Sequence, residues 1–368
     1  MKITIVAGAR PNFMKIAPII EAISQDGAGD ISYRLVHTGQ HYDKRMSQEF
    51  FTELNIPHPD VNLNAGGGTQ AEQTAAIMVG FERELAENPT DLVLVVGDVT
   101  STMACSIVAK KNKTRVAHVE GGIRSGDITM PEEINRIVTD AIADYFFTTS
   151  ETANENLRRM GVPGDRIFFV GNTMIDTLLK NVRHFREPSI WSTACLKKQE
   201  YLVLTLHRPS NVDDEAQLNT ILQEIDDLSA NLPVIFPVHP RTAGRLSRTD
   251  YSTIYLTEPL GYLEFNFLVM NAKAVITDSG GITEETTIMG VPCMTLRDTT
   301  ERPETCTIGT NELLGTDAGA LRPAFEKLRS GRWKQGGVPP LWDGKAAKRI
   351  VNRLLALSGQ PSNLYVSP

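Results

Sequence analysis

Apolar residues in this chain come in short unbroken runs rather than in alternation. Lys2–Ala7, Tyr33–Thr38, Asp91–Val96, Arg115–Val119, Tyr145–Thr149 and Arg166–Val170 make one series. Tyr201–Leu206, Pro233–Val238, Thr253–Leu256, Ala274–Asp278 and Val291–Leu296 make a second. A strand with one wet face alternates, whereas a run that is apolar on both faces is buried on both, as in a parallel sheet covered by helices. Helical periods fill the gaps. Thr74, Ile77, Met78, Phe81 and Leu85 follow a capping box of Thr69 and Glu72. Ile134, Ile137, Val138, Ala141 and Ile142 follow Pro131, placed as a first-turn proline. The pattern predicts an α/β fold of two Rossmann-like, doubly wound domains facing each other across a cleft, and 368 residues are too many for one ordinary domain. The expected division is 1–172 for the first domain, rejoined by C-terminal helix residues 353–368, and 173–352 for the second. The stretch Lys180–Gln199 lacks a strand period and contains Pro188, so it reads as helix and connection near the junction.

Composition narrows the partners. The chain is 41% hydrophobic and 22% charged with a net charge of −7, which argues against nucleic acid or an anionic membrane as the main partner. An anionic ligand would need a local basic pocket. No run of about 20 apolar residues is present, and the N-terminal MKITIVAGARP lacks the apolar stretch of a secretory signal. A cytoplasmic protein is the expectation. Cys105, Cys195, Cys293 and Cys306 show no CxxC or zinc-type spacing, so no metal is expected, and Cys105 and Cys293 read as buried thiols. No cofactor is expected either, on the separate ground that no dinucleotide fingerprint is present.

In doubly wound sheets, ligands bind beyond the carboxyl ends of the strands, and the unusual polar residues fall there. Gly8-Ala9-Arg10-Pro11 follows the first run, with Lys15 in the next helix; Arg10 can fork onto phosphate oxygens. It is not a GxGxxG, which weakens any dinucleotide hypothesis. Gly97-Asp98 follows the third run, and His118-Val119-Glu120 spans the end of the fourth, with Gly121, Gly122, Ile123 and Arg124 beyond it. Met130-Pro131-Glu132-Glu133 then opens a helix. Asp98, Glu120 and Glu132 thus fall at one edge, where carboxylates in different surroundings can divide the roles of base and acid. Each has an ordinary alternative, such as a Glu132–Arg136 i,i+4 pair.

The second half repeats the plan. His207-Arg208-Pro209 follows its first run and His239-Pro240-Arg241 its second, both histidines suited to proton transfer or phosphate binding. Asp278-Ser279-Gly280-Gly281 is a strand end, a small-residue turn and a helix start, a place where backbone N–H groups and the helix dipole cradle phosphate. Glu284 or Glu285 lies a turn further in, placed to accept hydrogen bonds from ribose hydroxyls. Arg297-Asp298-Thr299-Thr300-Glu301-Arg302 follows the last run.

Taken together, GARPNFMKIAP, VVGD, HVEGGIRSGD, MPEEINR, LHRPSNVDD, PVHPR, DSGGITEE and RDTTERPE resemble the non-hydrolysing UDP-N-acetylglucosamine 2-epimerases, a family of GT-B fold, over essentially the whole chain. The resemblance implies conversion of UDP-N-acetylglucosamine to UDP-N-acetylmannosamine without NAD. UDP is eliminated to leave a 2-acetamidoglucal, and is then re-added with the C2 proton returned to the opposite face. It also implies a homodimer that supplies polysaccharide biosynthesis. By motif position Asp98, Glu120 and Glu132 match the acid/base carboxylates and His207 the histidine near the diphosphate. Arg10, His239, Ser279, Gly280 and Gly281 match phosphate contacts, Glu285 the ribose carboxylate, and Phe265 the position whose backbone meets uracil. Lys15, Arg136, Arg208 and Arg302 complete the expected binding set. Many bacterial members carry a Gln-x-x-Gln and a nearby Arg for a second, activating sugar nucleotide. Here the stretch reads Gln40-His41-Tyr42-Asp43, with Gly66-Gly67-Gly68-Thr69 where the Arg is expected. Rival readings are a 2-epimerase of another UDP-amino sugar, such as a diacetamido-uronate, a hydrolysing epimerase, a retaining glycosyltransferase and a non-catalytic sensor.

Overall fold

Buried apolar strands fix the architecture. The computed structural model describes residues 1–40, 51, 53–54, 56–238, 240–246 and 250–358, which divide into two units. In the first, β1 (Lys2–Ala7), β2 (Ser32–His37), β3 (Val61–Asn62), β4 (Leu92–Val96), β5 (Arg115–Val119), β6 (Tyr145–Thr148) and β7 (Ile167–Phe169) form a sheet ordered β3-β2-β1-β4-β5-β6-β7. Every pairing in it is parallel. Every residue of β4 is buried, and each such Val or Leu contributes roughly 1.5–3 kcal/mol by leaving water. Helices α1 (Arg10–Asp26), α2 (Gln70–Glu87), α3 (Thr100–Lys111) and α4 (Pro131–Ile142) cover the sheet, and α5 (Thr173–Asn181) leads out of the unit. The capping box of α2 is formed: Glu72 N donates to Thr69 Oγ1 at 3.2 Å and Thr69 N to Glu72 Oε2 at 2.8 Å.

The second unit holds β8 (Leu202–Thr205), β9 (Val234–Pro237), β10 (Ile254–Thr257), β11 (Ala274–Thr277), β12 (Cys293–Thr295) and β13 (Asn311–Leu313), ordered β10-β9-β8-β11-β12-β13 and again parallel. Two of its helices bear on function, α6 (Tyr262–Asn271) and α7 (Gly280–Met289). In both sheets the strand order reverses at one point, between β1 and β4 and between β8 and β11. That reversal is where open α/β sheets bind ligands. No helix among the described residues is long and apolar enough to cross a membrane.

Two differences from the sequence reading have physical causes. The edge strands β3 and β13 are absent from it, because they are two and three residues long and half polar. The boundaries also move: the second unit runs from Lys180 to Pro339, and the described residues from Pro340 to Ser358 belong with the first. The residues expected to begin the second domain at 173 are tied back, with Thr177 Oγ1 donating to Met14 O at 2.6 Å. The return crossing is fixed before residue 353. Trp342 Nε1 donates to Thr149 O at 2.9 Å. Asp176 accepts Ala346 N and Ala347 N at 3.1 and 2.7 Å, capping the last helix, α8 (Ala346–Ser358).

Candidate active site

At the first switch point the chain is drawn tight. Asn12 Oδ1 accepts the N–H groups of Gly8 and Ala9 at 3.1 and 3.0 Å, and its amide donates to Val96 O at 3.1 Å. The turn after β1 is thereby fastened to the end of β4. A Cβ on Gly8 would stand 2.1 Å from Ser101 Oγ, so only glycine fits. Arg10 opens α1 close by. Burial lowers its pKa and Glu53 partly offsets that.

The three expected carboxylates all lie at this edge, and two of them meet a cation. Glu120 Oε2 is 2.7 Å from Lys15 Nζ, and both side chains are buried or nearly so. Glu120 holds φ at +68°, a left-handed conformation that costs a non-glycine residue about 1–2 kcal/mol. Its N–H donates to Phe147 O at 2.8 Å, which together with the ion pair keeps it there. The pair lies over Gly97, where a Cβ would be 3.2 Å from Lys15 Nζ and 3.8 Å from Glu120 Oε2. Asp98, the next residue, bonds Arg136 Nη2 at 2.5 Å, and Arg136 Nη1 bonds Glu133 at 2.8 Å. Glu132 is half-buried in the first turn of α4. The Arg136 guanidinium, an i,i+4 neighbour of Glu132 in sequence, bonds Glu133 and Asp98.

Glu133 lies outside the expected set, yet it is heavily bonded at this edge. Its carboxylate accepts Ser125 N at 2.9 Å and Gly126 N at 3.3 Å besides Arg136. Burial pushes its pKa up, but Ser125 and Arg136 outweigh burial and hold it below the usual range. Beneath lies a second buried group. His118 Nδ1 is 2.6 Å from Asp140 Oδ1, His118 Nε2 is 2.8 Å from Gly97 O, and Arg124 Nη1 is 2.7 Å from Asp140 Oδ2. Burial raises the Asp140 pKa, and His118 and Arg124 more than reverse that. These residues brace the strand ends that carry Asp98 and Glu120.

At the second switch point the chemistry differs. His207, just past β8, has Nδ1 2.8 Å from Asp278 Oδ1, just past β11. Burial raises the Asp278 pKa, but bonds from His207 and Arg208 hold it below its ordinary value. Helix α7 starts at Gly280 with Ser279 as N-cap, and the Ser279 side chain makes no capping bond. A Cβ on Gly281 would meet nothing within 4 Å, which leaves room beside a helix start, where N–H groups without an intrahelical partner attract anions. Arg297 forms a bidentate pair with Glu301, both bonds 2.8 Å, and its Nη1 would lie 3.7 Å from a Cβ on Gly280. Arg208 Nη2 is 4.0 Å from the same Glu301. Arg302 bonds Glu284 rather than standing open.

Glu285 is buried, and burial pushes its pKa up to about 7, with Tyr262 and Asn266 opposing and Glu284 adding. Phe265 sits in the first turn of α6 with its N–H given to Gly261 O at 2.9 Å, which commits that donor to the helix. His239 and the residues 41–43 lie outside the described residues. Asp278 was visible in the sequence as part of a turn motif. The signal that gives it a role is the register Thr205↔Thr277, which sets the ends of β8 and β11 side by side.

The chain matches the family model for UDP-N-acetylglucosamine 2-epimerase over residues 23–355. It is 41% identical to the UDP-N-acetylglucosamine 2-epimerase of Methanocaldococcus jannaschii, covering 96% of this chain and 99% of that one. It is 37% identical to the UDP-2,3-diacetamido-2,3-dideoxy-D-glucuronate 2-epimerase of Pseudomonas aeruginosa, over 97% of this chain and 100% of that one. The crystal structure of the Methanocaldococcus jannaschii UDP-GlcNAc 2-epimerase in complex with UDP-GlcNAc and UDP superposes with a TM-score of 0.88 at 40% identity, covering 97% of this chain and 100% of that chain.

Proposed function

The chain belongs to the UDP-N-acetylglucosamine 2-epimerase family, and on that premise we propose that it is an isomerase converting UDP-N-acetylglucosamine to UDP-N-acetylmannosamine without net hydrolysis. The observation that carries this reading is the difference between the two switch points. One gathers Asp98, Glu120 and Glu132; the other presents the open start of α7 beside His207. The first set suits moving the C2 proton and the second suits holding a diphosphate.

The chemistry follows from the substrate. C2 has no adjacent carbonyl, so its proton is poorly acidic, and loosening of the anomeric C–O bond must run ahead of proton removal. Stabilising the departing UDP is therefore the large contribution. In the forward half-reaction the C1–O bond breaks, UDP keeps its electron pair, and a carboxylate takes the C2 proton, leaving a 2-acetamidoglucal. In the return half, a UDP oxygen re-forms the bond to C1 and a proton is delivered to the other face of C2. A donor or acceptor is needed on each face, which more than one carboxylate supplies. Within the second unit the start of α7 and His207 suit the diphosphate, and Glu285 suits the ribose hydroxyls. A homodimer, a cytoplasmic location and supply of N-acetylmannosamine for polysaccharide biosynthesis belong to the same proposal and rest on the family resemblance.

The test is incubation with UDP-N-acetylglucosamine in deuterium oxide, followed by proton NMR. The expected result is a mixture with UDP-N-acetylmannosamine, deuterated at C2, with little free UDP. Stoichiometric free UDP and N-acetylmannosamine would mean a hydrolysing enzyme. Absence of C2 exchange would reject this substrate, and the diacetamido-uronate handled by the Pseudomonas relative would then be tried.

A further inference from the structure

The His207–Asp278 pair is built into the second sheet. Because Thr205 and Thr277 are register partners, their hydroxyls meet at 2.7 Å, and the residues that follow leave the sheet together. Asp278 Oδ2 then accepts His207 N at 3.0 Å, Arg208 N at 2.8 Å and Asn211 Nδ2 at 3.1 Å. Oδ1 accepts His207 N at 3.2 Å and faces His207 Nδ1 at 2.8 Å. A carboxylate only accepts, so Nδ1 must carry a hydrogen, and in the neutral ring Nε2 is left with a lone pair. The Asp278 side chain is 0% exposed while that of His207 is 46% exposed, which leaves Nε2 the edge able to meet a ligand.

We infer that Asp278 is a positioning residue that locks His207 in the Nδ1–H tautomer, so that the neutral ring can only accept a hydrogen bond at Nε2 and donates to a phosphate oxygen only as the imidazolium. That the oxygen belongs to UDP rests on the epimerase reading; the tautomer does not. The charged groups at the pair are Asp278 itself and Arg208, with Glu301 4.0 Å from the Arg208 guanidinium. An Asp278→Asn substitution has a directional consequence. Three donors converge on Oδ2, so the amide oxygen of the asparagine takes that place and its NH2 turns to His207 Nδ1. The ring must then answer with a lone pair at Nδ1 and move its hydrogen to Nε2, the inversion expected when an orienting carboxylate becomes an amide.

The experiment is nitrogen-15 NMR of the histidine rings in the full-length protein without ligand, with His207→Ala used to assign the signal. The wild type is expected in the Nδ1–H form and Asp278→Asn in the Nε2–H form. A wild-type ring in the Nε2–H form overturns the inference, and that reading stands even if the variant does not fold. In the epimerase assay, Asp278→Asn should lower kcat about 100-fold or more while KM moves less than about threefold. Added to His207→Ala it should cost nothing further. An additive loss in the double variant would make Asp278 a merely structural residue. Should the wild type show no epimerase activity, the functional reading fails while the ring spectrum still decides the tautomer.

Discussion

The two switch points share one topology and carry opposite chemistry. In the first unit the charged groups answer one another: Lys15 lies on Glu120, and Arg136 joins Asp98 to Glu133. In the second unit the start of α7 stays open at Gly281, and a half-exposed histidine is pinned from behind by a buried carboxylate. Glycine shows the contrast most simply. Gly8 lacks a Cβ because Ser101 fills the space, whereas around Gly281 there is nothing to fill it. A fold that only places strand ends together thus leaves the chemistry to the few residues beyond them.

The sharpest way to break this comparison is to remove a carboxylate from the first unit. Glu120→Gln should lower the epimerisation rate about 1,000-fold, within the range of acid–base groups, while calorimetry shows UDP affinity nearly unchanged. An equal loss of both would deny the division of labour between the units. Next is Arg136→Leu, which leaves Asp98 and buried Glu133 without their shared cation. A destabilisation of about 3 kcal/mol is expected from urea unfolding, since breaking a buried pair leaves an uncompensated charge. The glycine pair comes third. Gly8→Ala should destabilise by about 2 kcal/mol through overpacking. Gly281→Ala should leave stability unchanged or slightly raised, since alanine is the better helix former, yet weaken UDP binding about tenfold, or about 1.4 kcal/mol. Equal stability losses at the two positions would erase the contrast.

A last prediction concerns pH, and is read as a slope rather than a single loss. Glu285 has its pKa raised from 4.5 to about 7, so the folded state binds more protons than the unfolded state between those values. Stability therefore falls as pH rises from 4.5 to 7, by up to about 1.4 kcal/mol per pH unit. Asp176, raised to about 6, contributes with the same sign. Glu285→Gln should flatten the slope of unfolding free energy between pH 5 and 7. An unchanged slope would show that this carboxyl is not buried in solution.

The sequence made the interior strands and the residue types of the site legible, and left their pairings hidden. A run such as Leu92–Val96 announces itself because each side chain faces a helix layer. The edge strands β3 and β13 do not, being short and half polar. Asp98, Glu120, Glu132 and His207 stood out as polar residues just past apolar runs. That Lys15 would meet Glu120, 105 positions away, or that Arg136 would choose Glu133 and Asp98, is set by strand order, which no local window contains. The same holds for the return of the chain at Pro340. Its signal is a helix cap supplied by Asp176, 170 positions before the amide it binds.

That late cap has a consequence for synthesis. Domains emerging from a ribosome generally fold in order from the N-terminus, at about 5–20 residues per second. Here the order is inverted. The second unit is one continuous segment, complete once Pro339 has emerged. The first unit must wait for Trp342 to reach Thr149 and for α8 to reach Asp176 and the flank of α1. The unit whose strands come first in the chain is therefore the one completed last.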